Sequence, residues 1–342
     1  MTAGFVHSQI LAALVRLGVL ERLTAAPAST AVLAGDLGVP ERAMAALMQG
    51  AEALDLVERH VGDDGGDVWL PAVRGAALVA NPGAVAMIRH HDRLYRDLAD
   101  PVRLAREGVG ADGEAPETAR LWAYARDPGA ASGLARGFDR AAVDHYSELM
   151  GASLALLAED VLDRLSMRGV ASHLDIGGGE GAFVAACARR YPGLRLGLVD
   201  LPAVAERARE RLAAQGLAER VAVRGGDFFA DPAPFSAEGG ADSASLVRVL
   251  YDHDDEHALA ILTRARASLA PGGRLAVAEP MAGLPGARRT GAYFALYLLA
   301  MGSGRLRTPA EIARLMRAAG FARPRPVATA RPMLTGLMVA RA

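Results

Sequence analysis

Lysine is absent from this sequence, since all 38 of its basic residues are arginine. This absence excludes mechanisms that require a lysine amine, such as a Schiff base with a carbonyl substrate or the phosphate contact of a P-loop. Cysteine occurs once, at Cys187, which excludes an intrachain disulfide and a zinc cluster built on cysteines. We therefore predict no metal site, and we expect Cys187 to be a core residue.

Long apolar runs are also missing. No uncharged apolar stretch reaches about 18 residues, so we predict no membrane-spanning helix. The first residues lack the basic and apolar segments of a signal peptide, and we expect a cytoplasmic protein. A net charge of −1 is no electrostatic reason to expect binding to nucleic acid or to an anionic membrane. The length of 342 residues, 51% of them hydrophobic, favours a globular protein of two domains.

A glycine-rich stretch, residues 171–181, reads A-S-H-L-D-I-G-G-G-E-G and precedes an alanine-rich helical pattern. This order predicts a strand, a tight turn and the start of a helix, where glycines let a ligand approach the backbone closely. Asp175 and Glu180 would repel a phosphate at this turn. Their carboxylates suit a cofactor with cationic groups, such as the ammonium and sulfonium of S-adenosylmethionine.

Acidic residues also follow the next two predicted strands. Asp200 follows residues 195–199, and Asp227 follows residues 221–225. An acid in the position of Asp200 can accept hydrogen bonds from both ribose hydroxyls. An acid in the position of Asp227 can accept one from an adenine amine while the ring of Phe228 packs on the base. The alternative is a generic nucleotide-binding sheet on which these acids are incidental.

Strands and helices alternate from residue 166 onward. This alternation predicts an α/β fold, a Rossmann-like, doubly wound parallel sheet with helices on both faces. The predicted strands after the glycine-rich one are 195–199, 221–225, 245–250, 274–279, 324–328 and 334–340. Ligands bind at the carboxyl ends of parallel strands, so we expect the three acids, residues 250–254 and Glu279 to share one rim. The apolar insertion 281–303 is a candidate wall for an apolar pocket.

The first 80 residues predict a different kind of domain. Residues 8–60 are mostly helical, and their last helical pattern, 41–54, precedes two short strands, 56–58 and 68–70. This order is a winged-helix pattern. DNA binding is one interpretation, but residues 1–80 hold five arginines and nine acids, a charge of −4. Because phosphate contacts require basic side chains, we expect a subunit contact and no nucleic acid.

Five motifs then point to a known family. L-D-I-G-G-G-E-G, V-D-L-P, G-D-F-F, L-Y-D-H-D-D and P-G-G-R-L resemble the plant-type small-molecule O-methyltransferases, a class I S-adenosylmethionine-dependent family. The resemblance covers nearly the whole chain and implies a homodimer formed through an N-terminal winged helix. The acids at the strand ends and the resemblance to this family together predict the following cofactor-binding residues: Asp175, Gly177, Gly179, Asp200, Leu201, Asp227, Phe228 and Arg248. We accordingly predict a winged-helix dimerisation domain (1–80), a helical linker and substrate-pocket segment (81–165) and a methyltransferase domain (166–342).

Three stretches are similar to one bacterial branch of that family, which methylates hydroxylated acyclic carotenoids. They are residues 90–98, 248–255 and 293–311. The resemblance implies an apolar substrate, hydroxyneurosporene or demethylspheroidene, with peripheral membrane contact left open. An aromatic polyketide or a bacteriochlorophyll-type macrocycle is the alternative acceptor. A winged-helix regulator that senses a small molecule is a second alternative.

The catalytic base of the plant members is not present here. Their histidine falls on Tyr251, and a second family acid falls on Leu306, while the acid at Glu279 is retained. An aliphatic alcohol loses its proton late, after the oxygen has become a strongly acidic oxonium, so a weak acceptor suffices. We therefore predict Tyr251 as the residue that positions the hydroxyl, with His253 or a pocket histidine as the proton acceptor.

Overall fold

The computed structural model describes residues 3–62, 65–107, 116–119, 154, 157–227, 229 and 240–342. The chain divides into two compact units, Met1–Asp92 and Arg93–Ala342. The three-part division of the sequence analysis stays a prediction, because residues 108–115 and 120–153 of its middle segment lie outside the described residues.

The first unit consists of helices followed by a hairpin. Its elements are α1 (Gly4–Leu17), α2 (Val19–Ala25), α3 (Thr30–Leu37), α4 (Glu41–Ala53), β1 (Val57–Val61), β2 (Asp67–Pro71) and α5 (Val73–Val79). Gly38 ends α3 in the left-handed conformation, with φ 64°, which strains residues that carry a Cβ. The core is formed by Leu14, Leu20, Leu33, Met44, Met48 and Trp69. The predicted helices and antiparallel hairpin are therefore present.

Two helices, α6 (Pro82–Asp97) and α7 (Pro101–Glu107), follow the hairpin. Among the described residues, no single helix is both long and apolar enough to cross a membrane. Only α1 and α2 taken together, a pair bent by 56°, meet the length and composition criteria.

The second unit is built on a seven-stranded sheet. Its strands are β3 (Ser172–Ile176), β4 (Arg195–Asp200), β5 (Val221–Gly225), β6 (Ala241–Val247), β7 (Leu269–Glu279), β8 (Ala322–Val327) and β9 (Gly336–Arg341). The spatial order is β5-β4-β3-β6-β7-β9-β8, and only β9 runs antiparallel to its neighbours. Strand order reverses between β3 and β6, which is where a doubly wound sheet opens a crevice for a ligand.

Helices cover this sheet with two separate apolar clusters. The helices are α8 (Ala182–Arg190), α9 (Pro202–Ala214), α10 (Asp255–Ala267) and α12 (Pro309–Ala318), whereas α11 (Ala287–Met301) packs with Leu94 and Leu104 in a third cluster. Phe183 of α8 packs in one cluster, whereas Ile261 of α10 and Ile312 of α12 pack in the other. The predicted doubly wound fold is confirmed, and the capping box of Thr308 and Glu311 begins α12 as expected.

The position of β6 differs from the prediction. The apolar run 245–250 suggested a strand there, but the strand spans Ala241–Val247 and the chain turns at Leu250–Asp252. The polar residues Asp242 and Ser243 made the first residues look like a loop, whereas Ser245 lay within the predicted strand. Both serines are buried because their hydroxyls hydrogen-bond to the ring nitrogens of His173 on β3, which removes the cost of burying them.

Candidate active site

The glycine-rich turn joins β3 to α8 and leaves no room for side chains. Gly177, Gly179 and Gly181 have positive φ angles of 69°, 57° and 88°. A Cβ on Gly178 would lie 2.8 Å from Oδ2 of Asp175 and equally close to Leu198. The backbone of this turn therefore passes directly over the Asp175 carboxylate. Because these glycines have no Cβ, a ligand can approach the backbone closely, as predicted.

Asp175 is fully buried beneath that turn. Its Oδ1 accepts a 2.6 Å hydrogen bond from Ser245, while Oδ2 has no hydrogen-bond partner among the described residues. Burial raises the pKa of Asp175 to about 7, and the nearby charge of Asp200 adds to the effect. A cationic group at this turn would favour the ionised carboxylate and satisfy the second oxygen.

A histidine supports Asp175 from behind. The Nε2 atom of His173 lies 3.0 Å from Oγ of Ser245, and burial lowers the pKa of His173 to about 4, so the ring is neutral. When Asp175 is ionised, Ser245 donates to it and must accept from Nε2–H. Sequence analysis missed this relay, because its two halves are 70 positions apart.

Asp200 ties the turn to the next helix. Its Oδ2 accepts from the Gly179 amide at 2.8 Å, and its Oδ1 accepts from the Leu201 amide at 2.7 Å. Burial raises the pKa of Asp200 to about 6. The structure thus brings Asp175, Gly179, Asp200 and Leu201 together, and each Asp200 oxygen keeps a lone pair for a ribose hydroxyl.

Asp227 follows β5 and bends the chain towards residues 250–257. Its Oδ1 accepts a 2.8 Å hydrogen bond from the Phe229 amide. The Phe229 ring packs edge-on against His253 and His257, with centroid separations of 5.8 and 5.1 Å. This contact places the segment after β5 against the segment that follows β6. Phe228, the predicted adenine contact, lies outside the described residues.

Glu180 has a different role from the one expected. Instead of adding negative charge for a cofactor, its carboxylate forms ion pairs with Arg211 at 2.7 Å and Arg207 at 3.7 Å, both on α9. The carboxylate is 6% exposed. Its charge is therefore balanced within the fold, and Glu180 holds the glycine turn against α9.

Beyond β6, a short turn holds the predicted catalytic residues. Arg248 adopts a left-handed conformation with φ 57°, and its guanidinium lies 5.8 Å from the Tyr251 ring and 5.9 Å from the Phe294 ring. Tyr251 is 2% exposed, and its ring packs edge-on against Phe294 of α11. Glu279, fully buried at the end of β7, accepts from the Tyr251 amide at 3.2 Å. Burial raises the pKa of Glu279 to about 7, partly offset by the charge of Arg307.

The two residues after Tyr251 are also buried. His253 is 5% exposed, so it is not a surface histidine, and burial lowers its pKa to about 4. The imidazole is therefore neutral near pH 7 and can accept a proton only from a strong acid. Burial raises the pKa of Asp252 well above its usual range, and the charge of Arg248 and a hydrogen bond from Tyr251 oppose that rise.

Sequence analysis missed the residue that organises this turn. Arg307 is completely buried and donates to three oxygens: Oδ1 of Asp255 at 2.8 Å, the Leu250 carbonyl at 2.7 Å and the His253 carbonyl at 2.7 Å. Neighbouring Gly304 fits only because it has no side chain, since a Cβ would lie 2.2 Å from the Tyr251 carbonyl oxygen. The segment around Leu306, where the resemblance places a second acid in other members, thus holds the turn 250–253 through the side chain of Arg307.

These residues fit a cationic nucleoside cofactor. The turn offers an unsatisfied buried carboxylate oxygen at Asp175, closely approaching backbone at Gly178, and a fixed acid at Asp200. A dinucleotide would place phosphate beside two buried carboxyl groups, which electrostatics disfavours. The site therefore favours S-adenosylmethionine, held by the residues of the glycine turn and the ends of β4 and β5.

Comparison with known proteins agrees with this geometry. The family model described as an O-methyltransferase domain matches residues 95–322. The chain is also 46% identical over 325 residues to demethylspheroidene O-methyltransferase of Cereibacter sphaeroides, covering 94% of this chain and 80% of that protein. The chain belongs to the O-methyltransferase family. Like its relatives, this O-methyltransferase takes its methyl group from S-adenosylmethionine.

Two further relatives of this O-methyltransferase cover most of the chain. The protein named demethylspheroidene O-methyltransferase in Rhodobacter capsulatus is 40% identical, covering 99% of this chain and 80% of that protein. The solved structure of CalO1, a methyltransferase in calicheamicin biosynthesis, in its S-adenosylhomocysteine-bound form, is 26% identical with a TM-score of 0.75. It covers 99% of this chain and 95% of that chain. The fold class and the enzyme class are confirmed.

Proposed function

We propose that this enzyme methylates the hydroxyl of a hydroxylated acyclic carotenoid such as demethylspheroidene or hydroxyneurosporene. The observation that carries the proposal is the 46% identity to a protein named for that reaction, over 94% of the chain. A long apolar acceptor also needs an apolar wall beside the reacting oxygen. Such a wall packs around Tyr251: Leu94, Leu104, Phe294, Tyr297, Leu298 and Met301.

We infer separate roles for the two residues of the turn. The Tyr251 hydroxyl orients the substrate oxygen, which contributes by fixing the reacting geometry. His253 accepts the proton late, because a neutral imidazole with a pKa of about 4 is still far more basic than an oxonium. When bound, S-adenosylmethionine supplies a methyl group already activated by its sulfonium. Asp175, Gly177, Gly179, Asp200, Leu201, Asp227, Phe228 and Arg248 are the residues that we propose to hold it.

Acceptor specificity tests the proposal directly. The purified enzyme is incubated with methyl-labelled S-adenosylmethionine and, separately, with a hydroxylated acyclic carotenoid, a phenolic polyketide and a bacteriochlorophyll-type macrocycle. We expect label in the carotenoid ether alone. Label in the polyketide or the macrocycle, with an unlabelled carotenoid, would reject the carotenoid as acceptor and leave the enzyme class intact.

We also propose that the first unit is a winged helix that joins two copies of a cytoplasmic enzyme. Its order of helices and hairpin supports the fold, and its charge of −4 over residues 1–80 opposes DNA binding. Phe5 and Val6 of α1 are 70% and 41% exposed, which suits a surface that a second copy covers. Light scattering should give twice the mass of 35.6 kDa. A monomeric mass, or a DNA mobility shift at physiological salt, would reject this role.

A further inference from the structure

Positive charge is concentrated in the last quarter of the chain. Residues 257–342 hold 13 arginines and two acids, Glu279 and Glu311, so this segment carries +11 in a chain of net charge −1. Glu279 is buried, and Glu311 forms an ion pair with Arg305. Arg305 and Arg307 also pair with Asp255, and Arg331 pairs with Asp160, acids that lie outside the segment. The remaining charge of the segment is positive, which the net charge of the whole chain conceals.

Part of this charge lies on the outer edge of the sheet. β8 is the last strand in the sheet order, and Arg323 and Arg325 are exposed on it. The alternating residues Pro324 and Pro326 have no N–H to donate, so this edge is protected against addition of another strand. A partner that approaches this edge would therefore contact the side chains of Arg323 and Arg325.

The turn between β8 and β9, residues 328–335, adds exposed apolar side chains. Met333 is 44% exposed and Leu334 is 38% exposed. The turn is ordered, because the Leu334 amide donates to the Arg331 carbonyl at 2.9 Å. Since Gly336 pairs with Glu279, this turn lies at the carboxyl-end rim of the sheet, the rim that carries the active site.

Two more arginines lie next to this turn. The terminal carbon of Met333 would be 3.2 Å from a Cβ on Gly286, the residue before α11. Arg288 and Arg289 follow in the first turn of that helix and are exposed. Within the described part of the chain, no acid pairs with either of them or with Arg323 or Arg325. Arg288 and Arg289 thus lie beside the exposed apolar turn, and Arg323 and Arg325 lie along the edge strand that leads to it.

We propose that this surface docks the enzyme on an anionic lipid bilayer. Arg288, Arg289, Arg323 and Arg325 contact lipid phosphates, and Met333 and Leu334 enter the interface between headgroups and acyl chains. Basic side chains combined with exposed apolar ones are the pattern of peripheral membrane binding. Docking at the rim of the active site would bring the site to the phase in which an apolar carotenoid dissolves. Only that last reason rests on the proposed function.

Vesicle sedimentation tests the docking surface without any turnover. The enzyme is mixed with vesicles of phosphatidylglycerol and phosphatidylcholine in equal parts, or of phosphatidylcholine alone. We expect binding to the anionic vesicles only, and release as salt is raised. The double variant Arg323→Glu/Arg325→Glu should need about tenfold more lipid, or more, for half-maximal binding. The matched control, Arg42→Glu/Arg106→Glu, changes the net charge equally at exposed positions elsewhere and should bind as wild type.

Three results would overturn the proposal. In the first, the wild type does not bind anionic vesicles. In the second, the test and control variants lose vesicle binding equally. In the third, the test variant changes its oligomeric mass, which would mean that a second copy covers this surface. The variant Met333→Ser/Leu334→Ser should weaken the binding that persists at high salt. If the carotenoid proved not to be the acceptor, sedimentation would still decide whether the surface binds lipid.

Discussion

At the scale of single residues, Asp175 is the side chain that we propose to contact the cationic cofactor. The fold buries its carboxyl group, supplies one hydrogen bond from Ser245 and leaves Oδ2 without a partner among the described residues. With a pKa of about 7, the group is only partly ionised near neutral pH. A bound cation stabilises the ionised form, so binding below that pKa releases a proton. Cofactor affinity should therefore rise as pH increases through 7 and level off above it.

The first prediction removes that charge. Asp175→Asn keeps an oxygen that can accept from Ser245 but cannot ionise. We expect affinity for S-adenosylmethionine to fall about 10- to 100-fold, because a hydrogen bond to a charged group is lost. Calorimetric titration measures it, together with the slope of affinity against pH near 7, which should flatten. The melting temperature without cofactor should not decrease, since a buried charge has been removed. Unchanged affinity would show that Asp175 does not contact the cofactor.

The second prediction concerns the Tyr251 hydroxyl. Tyr251→Phe keeps the ring contact with Phe294, with a centroid separation of 6.0 Å, and removes only the hydroxyl that we propose to orient the substrate oxygen. We expect kcat to fall about tenfold or more while KM for the cofactor stays constant. The control is Tyr191→Phe at the end of α8, at the other end of the sheet. A kcat equal to wild type would exclude the hydroxyl from the mechanism.

At the scale of elements, the turn 250–253 is held by a segment far along the chain. Arg307 binds two of its carbonyls, and Arg305 donates its amide to the Tyr251 carbonyl at 2.9 Å. Glu279 binds its amides from the opposite side. The position of the Tyr251 ring therefore depends on three elements and not on the residues next to it in sequence.

Removing this support should weaken the fold. Arg307→Leu leaves the Leu250 and His253 carbonyls without their donor, and each unsatisfied buried group costs about 1–3 kcal/mol. We expect the free energy of unfolding to drop by about 2–4 kcal/mol. Urea denaturation measures it, with Arg209→Ala as the control. Arg209 pairs with Glu206 at the surface, and its loss should cost less than about 1 kcal/mol. Equal losses in the two variants would contradict the assigned role of Arg307.

Elements with strong local patterns were predicted within a few residues. The helix that follows Thr308 has a complete capping box, and β4 and β5 are short apolar runs bounded by turn residues. β6 was predicted to begin too late because Asp242 and Ser243 read as loop residues, and only the tertiary structure gives Ser243 its partner, His173. The insertion 281–303 became mostly one helix, α11, which local apolar content alone did not indicate.

At the scale of the whole molecule, the first unit has a core of its own. Leu14, Leu33, Met44, Met48 and Trp69 pack with one another inside Met1–Asp92. A unit with its own apolar core can fold alone. We expect a fragment of residues 1–92 to be helical by circular dichroism and to unfold in one cooperative transition. A non-cooperative transition would show that this unit depends on the rest of the chain.

Charge at this scale is also uneven. The first 80 residues carry a charge of −4 and residues 257–342 carry +11, and the rest of the chain brings the net charge to −1. Composition therefore indicated a neutral protein with no preference for anionic surfaces. The exposed edge strand and its apolar turn become visible only when the sheet order places β8 outermost. Net charge alone therefore does not describe how charge is distributed along this chain.

The sequence by itself determined the class of fold, the family and the cofactor, because acids at the ends of successive strands and glycines at the first turn are short-range patterns. The tertiary structure decided what each acid does. Asp175 keeps an oxygen free of partners among the described residues, whereas Glu180 is neutralised by Arg207 and Arg211, and nothing in their local sequence separates the two cases. The role of Arg307 likewise depends on contacts more than 50 positions away. Burial and long-range partners set charge and geometry, and both arise only when distant segments meet.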